Sequence, residues 1–266
     1  MPTLYSLVHD RLHAARLHVA PTTLSRPTRG CVGLGLCRLP WGLLMRILLV
    51  RHGQSLANID PRVYSTVADH AIPLTQRGMA QATAAGEQLA AHYGRLAQAG
   101  EERPHVRMWV SPYLRARQSA DAIQRAAGDW ITDRREHVLL VEQQFGLFDG
   151  IPDDELAIHH PEAYAHYQKC RKFKGKFWAR MPLGESRFDV AARVHQAFGT
   201  FQRDRVNHGI SDLVVVCHGV TLRAFVMMWC HLSPEWFETE SNPGNGAIRL
   251  IEGSIDRGYI FDGFKD

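Results

Sequence analysis

The sequence predicts a three-layer α/β/α domain with a mostly parallel central sheet. From residue 45 onward, short apolar runs alternate with long helix-forming stretches, the order expected when helices cross between parallel strands. The first, Ile47 to Val50, is continuously apolar rather than alternating, as expected for a strand buried on both faces. Several of the runs stop at a cluster of polar, charged and glycine residues, and in such sheets the ligand crevice lies beyond the carboxyl ends of the strands.

The first strand is the run Ile47-Leu48-Leu49-Val50. Residues 75–99 are rich in alanine and form a helix, with Met79, Thr83, Leu89, Tyr93 and Leu96 on one side. A second strand spans 106–110, and Ser111-Pro112 after it reads as a helix start, a capping residue followed by proline at the first helical position. A third strand is expected at 138–141. Helical stretches follow at about 153–180 and 187–207. A fourth strand spans 213–217 and leads at Gly219 into an apolar helix, and 248–251 and 259–261 close the sheet. No internal repeat or low-complexity tract is present.

The composition, 45% hydrophobic and 22% charged, is that of an ordinary globular chain. No apolar run reaches the roughly 18 residues of a membrane span. Five cysteines without a CxxC pair argue for a reducing compartment, hence a cytoplasmic protein, and against a disulfide framework. Residues 1–44 carry five arginines, no lysine and one acid, which accounts for the whole formal net charge of +4. Three readings stand for this segment: a targeting peptide, a tail without an address, or a start misplaced upstream of Met45. In each, 1–44 is an extension outside the fold and 45–266 is the catalytic domain. The neutral body offers no broad basic footprint for nucleic acid.

Chemistry gathers at the strand ends. Arg51-His52-Gly53-Gln54-Ser55 follows the first strand, with Asn58 three residues later; Ser111 and then Arg115 follow the second; Glu142-Gln143-Gln144-Phe145-Gly146 follows the third; His218-Gly219 follows the fourth. These residue types suit phosphoryl transfer. An uncharged imidazole is a competent nucleophile, and guanidinium forks match phosphate oxygens. At Gly53 the absence of a side chain lets backbone N–H groups approach an anion, and Asn58 adds a donor. Arg51 and Arg115 are expected to depress the pKa of His52 and keep it nucleophilic. A carboxyl group is wanted opposite the nucleophile to protonate the leaving alkoxide, and Glu142 is placed for that role, with Asp149, Asp153 and Asp154 as rivals.

Arg51-His52-Gly53 after an apolar strand, with the late Cys217-His218-Gly219, resembles the histidine phosphatase (phosphoglycerate mutase-like) superfamily. The resemblance covers about 45–252. It takes in Ser111-Pro112-Tyr113-Leu114-Arg115-Ala116, the pattern Glu142…Phe145-Gly146…Phe148-Asp149-Gly150, and Gly184-Glu185-Ser186. It implies that His52 is phosphorylated and that Arg51, Arg115 and His218 hold the phosphate. Asn58, Gly53 and Gly219 would assist, and Glu142 would be the proton donor, with neither metal nor cofactor. The stretch Asn242-Pro243-Gly244-Asn245 is similar to a bacterial and plant branch of that family.

Hydrolysis of a small phosphorylated metabolite is the expected activity. Gln143 stands where cofactor-dependent mutases carry an arginine, which favours hydrolysis over phosphoryl return. The alternatives are a phosphoglycerate mutase and a non-catalytic phospho-ligand binder. His159, His160 and His166 lack the matching acid or cysteine set of a metal site. The stretch 169–180, with four lysines and two arginines among Phe173, Phe177 and Trp178, reads either as a substrate lid or as a solvated helix with its rings packed inward. No oligomeric state is read from the sequence.

Overall fold

The computed structural model describes residues 45–265; the extension 1–44 lies outside the described residues. Six strands form one sheet: β1 (Arg46–Arg51), β2 (Val106–Val110), β3 (Asp133–Glu136), β4 (Asp212–Cys217), β5 (Ile248–Glu252) and β6 (Ile255–Phe261), in the order β3-β2-β4-β1-β5-β6. The β1–β4, β2–β4 and β2–β3 pairings are parallel, whereas β5 is antiparallel to both of its neighbours. This is the expected mostly parallel sheet, finished by a hairpin.

Within β1 successive side chains point to opposite faces, and both faces are buried because each carries helices. Leu48 and Val50 join Met108, Val110, Val214 and Val216 under helices α2 (Gln76–Gln98) and α3 (Leu114–Ala127). Ile47 and Leu49 join Trp109, Val215 and Cys217 under α6 (Arg187–His208) and α7 (Gly219–Trp229). Helix α5 (Pro161–Lys174) and the short helices α1 (Leu56–Ile59), α4 (Leu156–His159) and α8 (Pro234–Thr239) complete the α-helices among the described residues. Ser186 and Asp189 close a capping box at the start of α6, and Gly209 ends that helix with φ 64°.

Three sequence expectations are corrected and one helix is added. Residues 138–141 are not a strand: Val138–Leu140 is a 3₁₀ turn, and the strand beside β2 is the preceding Asp-Arg-Arg-Glu of β3. An edge strand with half-exposed, charged residues carries no apolar run to announce it. Ser111-Pro112 does not start α3, which begins at Leu114 with Tyr113 in the capping position. The buried face of α2 is Gly78, Ala82, Ala85, Gly86, Leu89 and Tyr93 rather than a row through Met79 and Thr83. Small residues win there because α2 lies close on α3: a Cβ on Gly86 would meet the Ile123 carbonyl oxygen at 2.6 Å. Finally, the sequence reading passed over α8, a six-residue helix begun by Ser233 and Pro234.

Candidate active site

The ends of β1, β2 and β4 meet at one rim. Arg51 is the last residue of β1 and His52 follows it, held by its N–H to the Cys217 carbonyl at 3.0 Å. Ser111 follows β2, and His218 follows β4 as the residue before α7. His52 and His218 are both buried, and their ring centroids lie 5.1 Å apart, edge to face. Arg115, on the first turn of α3, is 3% exposed. Its guanidinium lies 4.9 Å from the Tyr113 ring, which in turn meets His218 at 5.2 Å.

Hydrogen bonds assign the histidine protons. The Nδ1 of His52 lies 2.6 Å from its neighbour's carbonyl, Gly53 O. A carbonyl only accepts, so Nδ1 carries the proton and Nε2 keeps a lone pair. His218 Nε2 lies 2.8 Å from Ser111 Oγ, while its buried Nδ1 has no partner among the described residues. If the serine hydroxyl donates, that Nδ1 holds a proton for an incoming oxyanion. Burial, then the charges of Arg115 and Arg51, depress the pKa of His52 well below the ordinary histidine value. Burial, then Arg115, does the same at His218. Arg51 donates to the Pro243 carbonyl at 2.5 Å. Burial and the two arginines thus both work against a charge on His52.

Gly53 has a different local role from the one read in the sequence. Its N–H donates to Ser119 Oγ at 3.1 Å. A Cβ on it would fall 2.1 Å from the Gly78 carbonyl oxygen, and one on Gly78 would fall 2.0 Å from the Gln54 oxygen. The two glycines let the loop after His52 lie directly on the start of α2. Gly219 likewise makes room, for the Asn242 side chain. Asn58 is exposed, and its Oδ1 accepts the Ser55 N–H at 2.9 Å, capping α1.

Glu142 reaches the site from a loop, not a strand end. Its Oε1 accepts from Gln143 N at 3.0 Å and Thr221 N at 3.2 Å, and its Oε2 from Val220 N at 3.2 Å. It thus caps the start of α7, where His218 makes no side-chain cap. The loop is tied down by Glu185, which the sequence reading quoted without a role, and by Arg193, which it passed over. Glu185 accepts the Gln144 N–H at 3.0 Å and pairs with Arg193 at 2.8 Å, and Arg193 also donates to the carbonyls of Leu139, Val141 and Glu142. Gln143 is buried, with its amide on the Glu185 carbonyl at 2.8 Å. Its side chain packs inside the loop and brings no charge to this position.

Asp69 escaped the sequence reading, lying on a 3₁₀ turn with no motif around it. It faces Arg115 at 2.7 Å. The rival acid Asp149 is close by; burial and the Asp69 charge raise its pKa to about 6, with Arg115 opposing. In the basic stretch, Phe177 is buried against Phe237 at 5.4 Å, whereas Phe173 and Trp178 are exposed. A cavity of about 320 Å³ adjoins the site, lined by Arg51, Asn242 and Lys265 among others. A larger one, about 580 Å³, lies among residues such as Arg103, His105 and Trp130 near the starts of β2 and β3 and holds none of these groups. Among the described residues no helix is long and apolar enough to cross a membrane.

The doubly covered α/β sheet thus gathers His52, His218 and Arg51 at its strand ends, with Arg115 beside them on α3. Residues 47–260 match the model of the histidine phosphatase superfamily (branch 1), and the chain belongs to that superfamily. It is 37% identical over 216 residues to the phosphoglycerate mutase-like protein AT74 of Arabidopsis thaliana, a match that takes in 78% of this chain and 64% of that relative's length. It is 26% identical to the broad-range acid phosphatase DET1 of Saccharomyces cerevisiae, over 77% of this chain and 84% of the relative. Among solved structures, a mycobacterial glucosyl-3-phosphoglycerate phosphatase in complex with VO3 shares the fold with a TM-score of 0.58 at 23% identity, over 83% of this chain and 98% of the other.

Proposed function

We propose that the chain is a phosphomonoesterase that works through a phosphohistidine on His52 and needs no metal, acting on a small phosphorylated metabolite. The observation that carries this is the tautomer: Nδ1–H bound to Gly53 O leaves Nε2 unprotonated beside Arg51 and Arg115. In the first step His52 Nε2 attacks phosphorus in line, forming an N–P bond as the ester P–O bond breaks. Arg51, Arg115 and the His218 Nδ1–H neutralise the equatorial oxygens, since positioning and charge dominate phosphoryl transfer. Glu142 gives its proton to the departing alkoxide, from Oε2, which accepts one backbone N–H where Oε1 accepts two. In the second step the Glu142 carboxylate takes a proton from water as that water attacks phosphorus, the N–P bond breaks, and inorganic phosphate leaves. Gly53, Gly219 and Asn58 shape the loops around this pocket rather than supply charge.

The superfamily's phosphatase and mutase-like members support the coarse reading. The test is turnover of p-nitrophenyl phosphate by wild type and His52→Ala, with a chelator present. Wild type is expected to hydrolyse it and to yield an acid-labile phosphoenzyme, and the alanine variant to do neither. Hydrolysis that survives in His52→Ala overturns the proposed nucleophile. Isomerisation of 3-phosphoglycerate faster than its hydrolysis would make the protein a mutase, and binding of phosphate without turnover would make it a binder.

A further inference from the structure

Arg115 is held by one end of its fork. Its NH1 donates both to the carboxylate Oδ1 and to the carbonyl oxygen of Asp69, each at 2.7 Å. Its Nε and NH2 have no acceptor among the described residues. Asp69 sits in the excursion between β1 and α2, on a 3₁₀ turn (Asp69–Ala71), and the buried Ile72 and Leu74 anchor the chain just beyond it. The same segment is gripped a second time one turn along α3, where Gln118 Oε1 accepts the Leu74 N–H at 2.7 Å. The segment from Asp69 to Leu74 is therefore tied to α3 at two points, through Arg115 and through Gln118.

A guanidinium this deeply buried needs a counter-charge. Around it stand Arg51 and two neutral histidines, none of which supplies one. The carboxyl groups of Asp69 and Asp149 lie on this side, with the Tyr64 hydroxyl beside them. Among the described residues only Asp69 forms an ion pair with Arg115. A phosphate that took the open Nε and NH2 would share one cation with that carboxylate, and two anions on one cation repel each other.

We propose that Asp69 is a positioning residue and the counter-ion of Arg115. It orients the guanidinium while the pocket is empty, and by sharing that cation with bound phosphate it weakens the hold on product so that phosphate leaves. This rests on the phosphate seat proposed above. A merely structural Asp69 would make the opposite demand, since loosening Arg115 would weaken phosphate binding.

The test is the inhibition constant of inorganic phosphate against p-nitrophenyl phosphate, with orthovanadate binding measured by calorimetry. Asp69→Asn keeps an acceptor and the backbone contact but removes the charge. It is expected to lower the phosphate inhibition constant about tenfold, or about 1.4 kcal/mol, and to lower kcat as release slows. Asp69→Ala, which keeps only the carbonyl contact, is expected to tighten phosphate as well and to lose more kcat. Inhibition constants unchanged or raised in both variants overturn the role of Asp69 if Arg115→Ala still abolishes vanadate binding. Vanadate binding unaffected in Arg115→Ala overturns the phosphate seat itself, and the role of Asp69 with it.

Discussion

His52 and His218 meet edge to face 5.1 Å apart inside the fold, two imidazoles that burial and neighbouring arginines hold without charge. The pair gives the site its nucleophile, and it also makes the fold sensitive to acid.

That sensitivity has a definite sign. The folded pKa values of both rings lie below the unfolded value of 6.5, so in acid the unfolded chain binds protons that the folded chain refuses. The stability is fully present above about pH 6.5 and is lost as pH falls below it. Melting temperatures measured from pH 8 down to pH 5 are expected to fall, with a shallower slope in His218→Gln. Bound phosphate should offset the loss, because its charge favours the protonated rings.

Glu142→Gln separates the acid's chemistry from its capping. The carboxyl receives backbone N–H groups of Val220 and Thr221, and the amide keeps one acceptor oxygen for them. Turnover of alkyl phosphates, whose leaving groups need a proton, is expected to fall about 10²–10⁴-fold. Turnover of p-nitrophenyl phosphate, which leaves as a stable anion, should fall far less. Equal losses on both substrates would remove Glu142 as the donor.

The reciprocal contact between Gly53 and Gly78 leaves no space for a methyl group on either. Gly53→Ala and Gly78→Ala are each expected to destabilise the protein by more than about 3 kcal/mol, because backbone must move. Denaturant titration of both variants measures this. A loss below about 1 kcal/mol in either would mean that the loop after His52 does not lie on α2.

Asp149 works in the opposite direction to the histidines. Its folded pKa of about 6 lies above the ordinary 3.8, so the folded chain holds a proton that the unfolded chain has lost between those values. Stability falls as pH rises through that window. Asp149→Asn is expected to stabilise the protein at pH 8 by about 1 kcal/mol, allowing for the solvent-facing part of the group, and to have little effect at pH 4. Thermal melts at the two pH values decide it.

Much of this site was legible because its strands are local signals. The runs before Arg51 and His218 are apolar without interruption, and the run before Ser111 is broken only by Arg107, so the ends of these strands were read to within about a residue. The third strand failed for the same physical reason in reverse. β3 is a polar edge strand, whereas Val138-Leu139-Leu140 is a turn whose Leu139 and Leu140 pack into the core that α6 covers while Val138 stays exposed.

By itself the sequence determined which chemical groups stand at the ends of the buried strands, since continuous hydrophobicity announces such strands wherever they fold. Only the tertiary structure decided that Asp69 pairs with Arg115, that Glu142 caps α7, that Ser111 serves His218 rather than a helix start, and that Gly53 is small for the sake of Gly78. Each of those contacts joins segments between 25 and 107 positions apart. They arise from where two backbones happen to approach, and no periodicity within either segment encodes the distance between them.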